Sequence, residues 1–378
     1  MQAVQALEET ELLEDLLSRV ESVQDVLQQY APESDAQGFL HPESVRALDS
    51  TGLLRMKVVR EFGGFEARPS TQMLVLARIA EIDPATAWNV MVNNNASGWL
   101  SAYLSEELLE QVLDDGRAPI ASGVTPAFGT AVRVPGGYRV TGRWRTCSGV
   151  QQSAWVRLNC AIEGEEGRTV YAFVPKSAAV VHPESWEVFG LRGTGSFDVS
   201  LDDYFLPEAW GLSPDASPLR GGPQYRLSGL ISAVYEHAGI ALGIAKRALS
   251  ALADHAARTG KTNDRMLEEL GRLGIELECA FEGATRTFDD LYEALADDSV
   301  SHEAEALRGQ AVTTYVTELA LECAETAYQH AGTAALYLPN AFEQTLRDIH
   351  GATQHVAASA NNYRVYAANA VQARKQGR

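Results

Sequence analysis

One stretch limits what this chain can become. Residues 118–208 read as strands and turns, and they stand between segments that read as helix. The stretch holds Pro119, Pro126, Pro135, Pro175, Pro183 and Pro207, many glycines, and short runs rich in Val, Tyr, Phe and Trp. Closely spaced runs of this kind, separated by turn residues, form small barrels or sandwiches. Val132, Val134, Tyr138 and Val140 flank Pro135-Gly136-Gly137, a hairpin signal. Residues 156–162 and 169–174 flank a second hairpin-like loop. Phe197, Val199 and Leu201 then alternate with Ser196, Asp198 and Ser200.

The flanks have a different period. Leu7, Leu12, Leu16, Val20, Val23 and Leu27 recur at helical spacing over residues 3–30. Pro42 suits the start of a helix over 42–53, Ser70 reads as the N-cap of the next, and Asp83-Pro84 opens another through Trp88. From about 226 helical patterns return, over 227–256, 266–295, 303–332 and 342–373. The first of these carries Gly239, Ala241, Gly243 and Ala245 on its apolar stripe, which permits close helix packing. Long alanine-rich helices with few loops describe an antiparallel bundle. The expected fold is mainly α with a central β domain. It comprises an N-terminal helical domain (1–117), a β-barrel domain (118–222) and a C-terminal helical bundle (223–378).

Composition mainly excludes. The 378 residues, 46% hydrophobic and 21% charged, suffice for a large core and give an ordinary globular profile. A formal charge of −19 without a clustered basic patch argues against nucleic acid as a partner. No apolar run is long enough for a bilayer, and the acidic N-terminus lacks the features of a secretory signal, so a cytoplasmic protein is expected. Cys147, Cys160, Cys279 and Cys323 lie far apart with no CxxC, so neither structural zinc nor a disulfide framework is expected.

Three motifs carry chemistry. Trp144, Thr146 and Ser148 recur at period two and would share one strand face, offering a flat ring and two hydroxyls to a flat, polar-edged ligand. The plain alternative is a half-buried sheet face. Phe189-Gly-Leu-Arg-Gly-Thr-Gly-Ser196 sets glycines around Thr194 and Ser196, so its backbone can approach a phosphate or a ring. The plain alternative is a tight turn with Arg192 in solvent. In the third motif, Arg347-Asp348 to His355, an unbroken helix would put Asp348 and His355 on one face, seven residues apart. His350 would point elsewhere, which makes the two histidines a poor metal site.

Taken together, these residues resemble the acyl-CoA dehydrogenase superfamily, and within it the oxygenase components of two-component (group D) flavin-dependent monooxygenases. The resemblance runs from Gly63-Gly64 to about residue 370. Ser148-Gly149 resembles the oxygenase branch. Where dehydrogenases carry a glutamate, this chain has Ala352-Thr353-Gln354-His355. The resemblance implies an acyl-CoA dehydrogenase-like fold, reduced FMN or FAD supplied by a separate NAD(P)H:flavin reductase, and O2 as co-substrate. It further implies a flavin C4a-hydroperoxide that hydroxylates a small phenolic, polycyclic or amine substrate, and a homotetramer. Flavin contacts are implied for Trp144, Thr146, Ser148, Gly149, Thr125, Arg192, Thr194 and Ser196. Ser148 and His355 are the implied catalytic residues. Trp88 and Asn93 are substrate-side candidates, with a core aromatic and a polar turn as the equal alternative. Tyr235 and His237 are further candidates, open among pocket, interface and surface. The rivals are an FAD-dependent dehydrogenase or desaturase of the same fold, which needs a carboxylate over the flavin, and a non-catalytic helical scaffold.

Overall fold

The computed structural model describes residues 2–227, 229–297 and 301–375. Ser228, inside the helix expected from Leu227, lies outside them. The N-terminal helices are α1 (Gln2–Gln37), α2 (Pro42–Ser50), α3 (Pro69–Ile82), α4 (Pro84–Tyr103) and α5 (Glu106–Glu110). The strands are β1 (Ala121–Val134), β2 (Gly137–Cys147), β3 (Trp155–Ile162), β4 (Thr169–Pro175), β5 (Val180–His182), β6 (Phe197–Pro207) and β7 (Gly211–Leu212). The C-terminal helices are α6 (Val234–Thr259), α7 (Asp264–Ala296), α8 (Glu303–Ala331), α9 (Ala341–Ala352) and α10 (Asn361–Lys375).

Proline and side-chain caps set the helix starts. Pro42, Pro69 and Pro84 occupy first-turn positions, where a missing N–H costs nothing. The Asp83 side chain accepts from the Thr86 N–H, and Asn263 and Asn340 cap α7 and α9 in the same way. Ser70 is not a cap. Arg68 holds that position, and the Ser70 hydroxyl donates to Asp289 on α7 instead.

The strands form one seven-stranded sheet in the order β5-β6-β2-β1-β3-β4-β7. The barrel expected from the strand pattern is therefore an open sheet, with β5 and β7 at its edges. Val134 pairs with Gly137, so the β1–β2 turn is Pro135-Gly136, with Gly136 at φ +83°. Proline followed by a positive-φ glycine is the sequence of a type II turn.

The helices before and after the sheet share one hydrophobic core, which runs from Leu16 to Ala352. Its tightest seam is α3 against α6. A Cβ on Gly239 would lie 2.2 Å from the Met73 carbonyl, and one on Gly243 2.2 Å from that of Ala77. The small-residue stripe thus permits backbone-to-backbone packing. A second core lies within the sheet around Trp144, and a third joins α4 to the sheet through Trp99, Tyr103 and Tyr171. No described helix is long and apolar enough to cross a membrane.

Candidate active site

Where α4, the sheet, the 186–196 loop and the turn after α9 converge, they enclose a cavity of about 550 Å³. It has two unlike walls. The sheet side offers small and hydroxyl-bearing residues, Gly123, Thr125, Thr146, Ser148 and Ser196, together with Arg157. The helix side offers larger groups, Trp88, Met91, Asn95 and His355.

A hydrogen-bond chain orders the sheet side. The Thr194 hydroxyl donates to the Leu191 carbonyl at 2.7 Å and lies 2.7 Å from the Ser196 hydroxyl, which lies 2.6 Å from Ser148 Oγ. Trp88 Nε1 donates to Ser148 Oγ at 3.3 Å. Leu191 O can only accept and Trp88 Nε1 can only donate, so every proton has one direction. Ser148 gives its hydrogen to Ser196, and Ser196 gives its own to Thr194. Toward the cavity Ser148 is left with a lone pair, which accepts from a ligand N–H.

Trp144 does not share this wall. Thr146 sits at φ +56°, a left-handed conformation unusual for a non-glycine residue, and the β2–β6 register shifts between Trp144 and Cys147. The period-two alternation fails there. Thr146 and Ser148 reach the cavity, whereas Trp144 is fully buried in the sheet core and donates from Nε1 to the Asn159 carbonyl at 2.6 Å. Cys147 is also core. Its thiol lies 3.4 Å from Ser122 Oγ, and burial pushes its pKa up to about 11.

The C-terminal motif is split. α9 ends at Ala352, and His355 adopts extended backbone, φ −75° and ψ 142°, as the cap of a short 3-10 turn over Val356–Ala358. The single helix expected over 342–373 is thus two helices with a break. α8 holds the break, where the Thr314 hydroxyl lies 3.3 Å from the Ala357 carbonyl and 3.2 Å from that of Ser359. The His355 ring stacks on His237, centroids 5.0 Å apart, and Trp88 meets each of the two rings edge-on at 5.6 Å. Burial lowers the His355 pKa to about 4, and burial together with the neighbouring His355 holds that of His237 well below its ordinary value, so both are neutral near pH 7. The Ala357 N–H donates to His355 Nδ1 at 3.3 Å, which places the ring hydrogen on Nε2. Both nitrogens of His237 lack partners.

Arg347 and Asp348 brace the glycine-rich loop. Asp348 Oδ1 accepts from the Leu191 N–H at 2.7 Å, and Arg347 reaches Asp35, Glu343 and the Phe189 carbonyl. Burial pushes the Asp348 carboxyl up to about 7. Of this motif Gly351, Gln354 and His355 line the cavity.

Other candidates fall elsewhere. Arg192 is exposed and lines a separate surface groove with Asp35 and Phe189; only its carbonyl is engaged, by Trp186 Nε1. Asn93 is buried behind the wall, donating to the Ala121 carbonyl at 2.9 Å and to Ser153 Oγ at 3.1 Å. Gly149 is held beside it, with its carbonyl accepting from Ser153 at 2.8 Å. Tyr235 is fully buried under Lys57, its hydroxyl unpartnered. His237 reaches the site through its stack on His355. Thr125 lines the cavity, and its hydroxyl receives Arg157 NH2 at 3.3 Å.

The sequence reading missed Lys57 and Arg157 and left the role of Glu236 open. Lys57 Nζ lies 3.6 Å from Glu236 and donates to the Ser232 carbonyl at 2.7 Å, while Asn95 donates to Glu236 at 2.9 Å. Burial pushes the Glu236 carboxyl up and the Lys57 ammonium down, each opposed by the other's charge. A detectable signal existed for Arg157, a charge within Trp155-Val-Arg157-Leu-Asn-Cys, a strand buried on both faces.

The family profiles described as "Acyl-CoA dehydrogenase, N-terminal domain" and "Acyl-CoA dehydrogenase, C-terminal domain" match residues 8–117 and 235–360. Among solved structures, 3-HSA hydroxylase from Rhodococcus sp. RHA1 superposes with TM-score 0.88 at 22% identity, covering 95% of this chain and 97% of that one. XiaF from Streptomyces sp., in complex with FADH2 and glycerol, gives 0.87 at 24% identity over 96% of each chain. The fold is that of the acyl-CoA dehydrogenases. In sequence the chain is 26% identical to indole-3-acetate monooxygenase of Pseudomonas putida over 338 residues, 85% of each chain. It is 26% identical over 373 residues to the oxygenase component of the FADH(2)-dependent resorcinol hydroxylase of Rhizobium sp., 90% of each chain. Within that fold the chain is, by homology, an oxygenase component of the flavin-dependent monooxygenases, whose members related to it use reduced flavin. The donor set fits that cofactor, since small side chains floor the sheet wall and the free lone pair of Ser148 suits a ring N–H.

Proposed function

We propose that this chain hydroxylates a small aromatic substrate, using reduced FMN or FAD delivered by an NAD(P)H:flavin reductase. One observation carries the reading. Among the described residues, the ionisable side chains lining the cavity are Arg157 and His355, and none is a carboxylate. A dehydrogenase of this fold needs a carboxylate to take an α-proton, and Glu236 is held behind the wall by Lys57 and Asn95. Relatives named for resorcinol and indole-3-acetate support an aromatic substrate.

When bound, reduced flavin supplies two electrons to dioxygen, so that one oxygen atom enters the product and the other leaves as water. The chain's own residues do the rest. Thr125, Thr146 and Ser148 hold a flat ring along the sheet. Trp88 and His355 hold the substrate from the helix side, where Nε2–H of the neutral imidazole donates to a substrate oxygen and stabilises negative charge on it. Met91, Val92, Leu191 and Trp186 keep the cavity apolar and limit water. The assembly belonging to this reading is a homotetramer. Among its described surfaces, α10 buries no residue and exposes Tyr366 and Val371.

The test supplies reduced flavin, 18O2 and a panel of phenols and indoles. The expected result is one 18O in a hydroxylated product. Stoichiometric hydrogen peroxide without product across the panel, together with bleaching of bound oxidised flavin by an acyl thioester, would support the dehydrogenase instead.

A further inference from the structure

We infer that Arg157 makes this cavity select an anionic ring, and that the anion is reduced flavin; the assignment rests on the functional reading above. Arg157 projects from β3 and is 6% exposed, yet among the described residues no carboxylate lies within ion-pair distance of it. The fold pairs its other buried cations, Lys57 with Glu236 and Arg55 with Asp49. The groups near the Arg157 guanidinium are the phenols of Tyr171 and Tyr103 and the thiol of Cys147, none of them a carboxylate, and Lys57 adds a further positive charge. An uncompensated buried cation is costly, by several kcal/mol on general grounds. The missing charge is therefore expected from a ligand.

The guanidinium is held ready for one. Its carbon lies 4.9 Å from the centre of the Trp99 ring and 4.6 Å from that of Tyr171. NH2 donates to Thr125 Oγ1 at 3.3 Å, and buried Nε has no partner. Beside it, a Cβ on Gly123 would stand 3.3 Å from Nε and 3.1 Å from the Arg157 carbonyl. The bare strand leaves room where a side chain would press on the guanidinium.

Arg157, Gly123, Thr125 and Thr146 all belong to the sheet wall, where a flat ring finds small neighbours. The groups suited to a substrate oxygen, Trp88 and His355, lie on the helix wall. Reduced flavin loses its N1 proton near neutral pH and spreads the charge over N1 and the C2 carbonyl, whereas oxidised flavin is neutral. A planar N–C–O edge suits the fork of a guanidinium. The free lone pair of Ser148 also suits the reduced ring, which carries N5–H where the oxidised ring has only an acceptor. The site thus captures the reduced form and lets the oxidised form go.

The experiment is an anaerobic titration without substrate, comparing reduced and oxidised FMN and FAD with wild type, Arg157→Gln and Arg157→Lys. Wild type is expected to bind reduced flavin at least roughly tenfold more tightly than oxidised. Arg157→Gln should lose roughly 10- to 100-fold on the reduced side with little change on the oxidised side, and Arg157→Lys should fall between. A pH indicator should show proton release when wild type binds reduced flavin below pH 7, a readout that needs no variant to fold. Equal affinity of wild type for both states, or equal loss from both in Arg157→Gln, overturns the inference. An unchanged ratio in Arg157→Gln with a raised substrate KM would give Arg157 to the substrate, and also overturns it. Wild type that binds neither state of flavin refutes the functional reading itself.

Discussion

The two walls of the cavity are built on opposite principles. On the sheet wall the hydroxyls of Thr194, Ser196 and Ser148 bond one another in a fixed direction, ending on the Leu191 carbonyl. On the helix wall two neutral imidazoles stack with Trp88 at their edges, and His237 leaves both nitrogens unpartnered. Along that hydroxyl chain the sheet wall is self-satisfied and its shape is fixed before any ligand arrives; its unspent capacity is one lone pair of Ser148 and the Arg157 guanidinium, whose Nε has no partner. A wall of unspent hydrogen-bonding capacity gains by meeting one. Under the proposed function, the difference gives the sheet side to positioning a ring and the helix side to chemistry at the substrate.

The comparison is broken most severely at His355. His355→Ala should lower kcat/KM by about 100- to 1000-fold in steady-state hydroxylation and leave reduced-flavin affinity within about threefold. Equal losses in both would place His355 on the cofactor side and erase the division. The next effect falls on the strut between the walls. Folded Asp348 keeps its proton to about pH 7, against 3.8 for the model carboxyl, so between these values the folded state binds the extra proton. Stability contributed by the protonated group is full below about pH 4 and is lost as pH rises toward 7 and beyond. Asp348→Asn should remove this dependence. Urea unfolding from pH 5 to 8 should show the stability gap between the two proteins changing by on the order of 2–4 kcal/mol.

Smaller effects sharpen the picture. Ser148→Ala interrupts the hydroxyl chain and strands Trp88 Nε1, so reduced-flavin affinity should fall about tenfold and stability by about 1–2 kcal/mol, read by titration and thermal melting. For His237 the folded pKa is depressed, so the unfolded chain gains protons first and stability is lost as pH falls below 6.5. His237→Leu should keep neutral-pH stability within about 1 kcal/mol, flatten the acid-side loss and reduce turnover several-fold through a looser His355. Tyr235→Phe removes a buried hydroxyl that has at most a weak contact, with Gln72, and should shift stability by less than about 1 kcal/mol with KM unchanged. A raised KM would return Tyr235 to the substrate.

Much of this arrangement was legible in the residues. Apolar periods and turn signals located the helices, the Pro135-Gly136 hairpin and the sheet between two helical regions. The threonines and serines of the 144–148 and 189–196 motifs, and His355, do meet around one cavity. Trp144 was misplaced because period-two reasoning assumes an unbroken strand, and nothing in Arg145-Thr146-Cys147 announces a residue at φ +56°. The break after Ala352 escaped because no proline marks it and α8 enforces it from 40 residues upstream. Lys57 was silent because a buried charge is defined by partners from distant elements, whereas Arg157 stood in a strand buried on both faces and could have been noticed there. Arg192 was singled out from its glycine-rich loop, and the structure places it on a separate surface groove rather than in this cavity.

The seam between α3 and α6 bears on how the protein is made. Met73 and Ala77 are sealed by Gly239 and Gly243, which leave the ribosome more than 150 residues later. Until then the face of α3 that meets α6 has no cover, while every strand of the sheet has already emerged. The sheet can therefore fold early as a local unit, and the helical core must wait for non-local closure, the slow and aggregation-exposed kind of step. Chain truncated before α6 should bind chaperones through α3, because the face of α3 that packs on Gly239 and Gly243 stays open until α6 is synthesised.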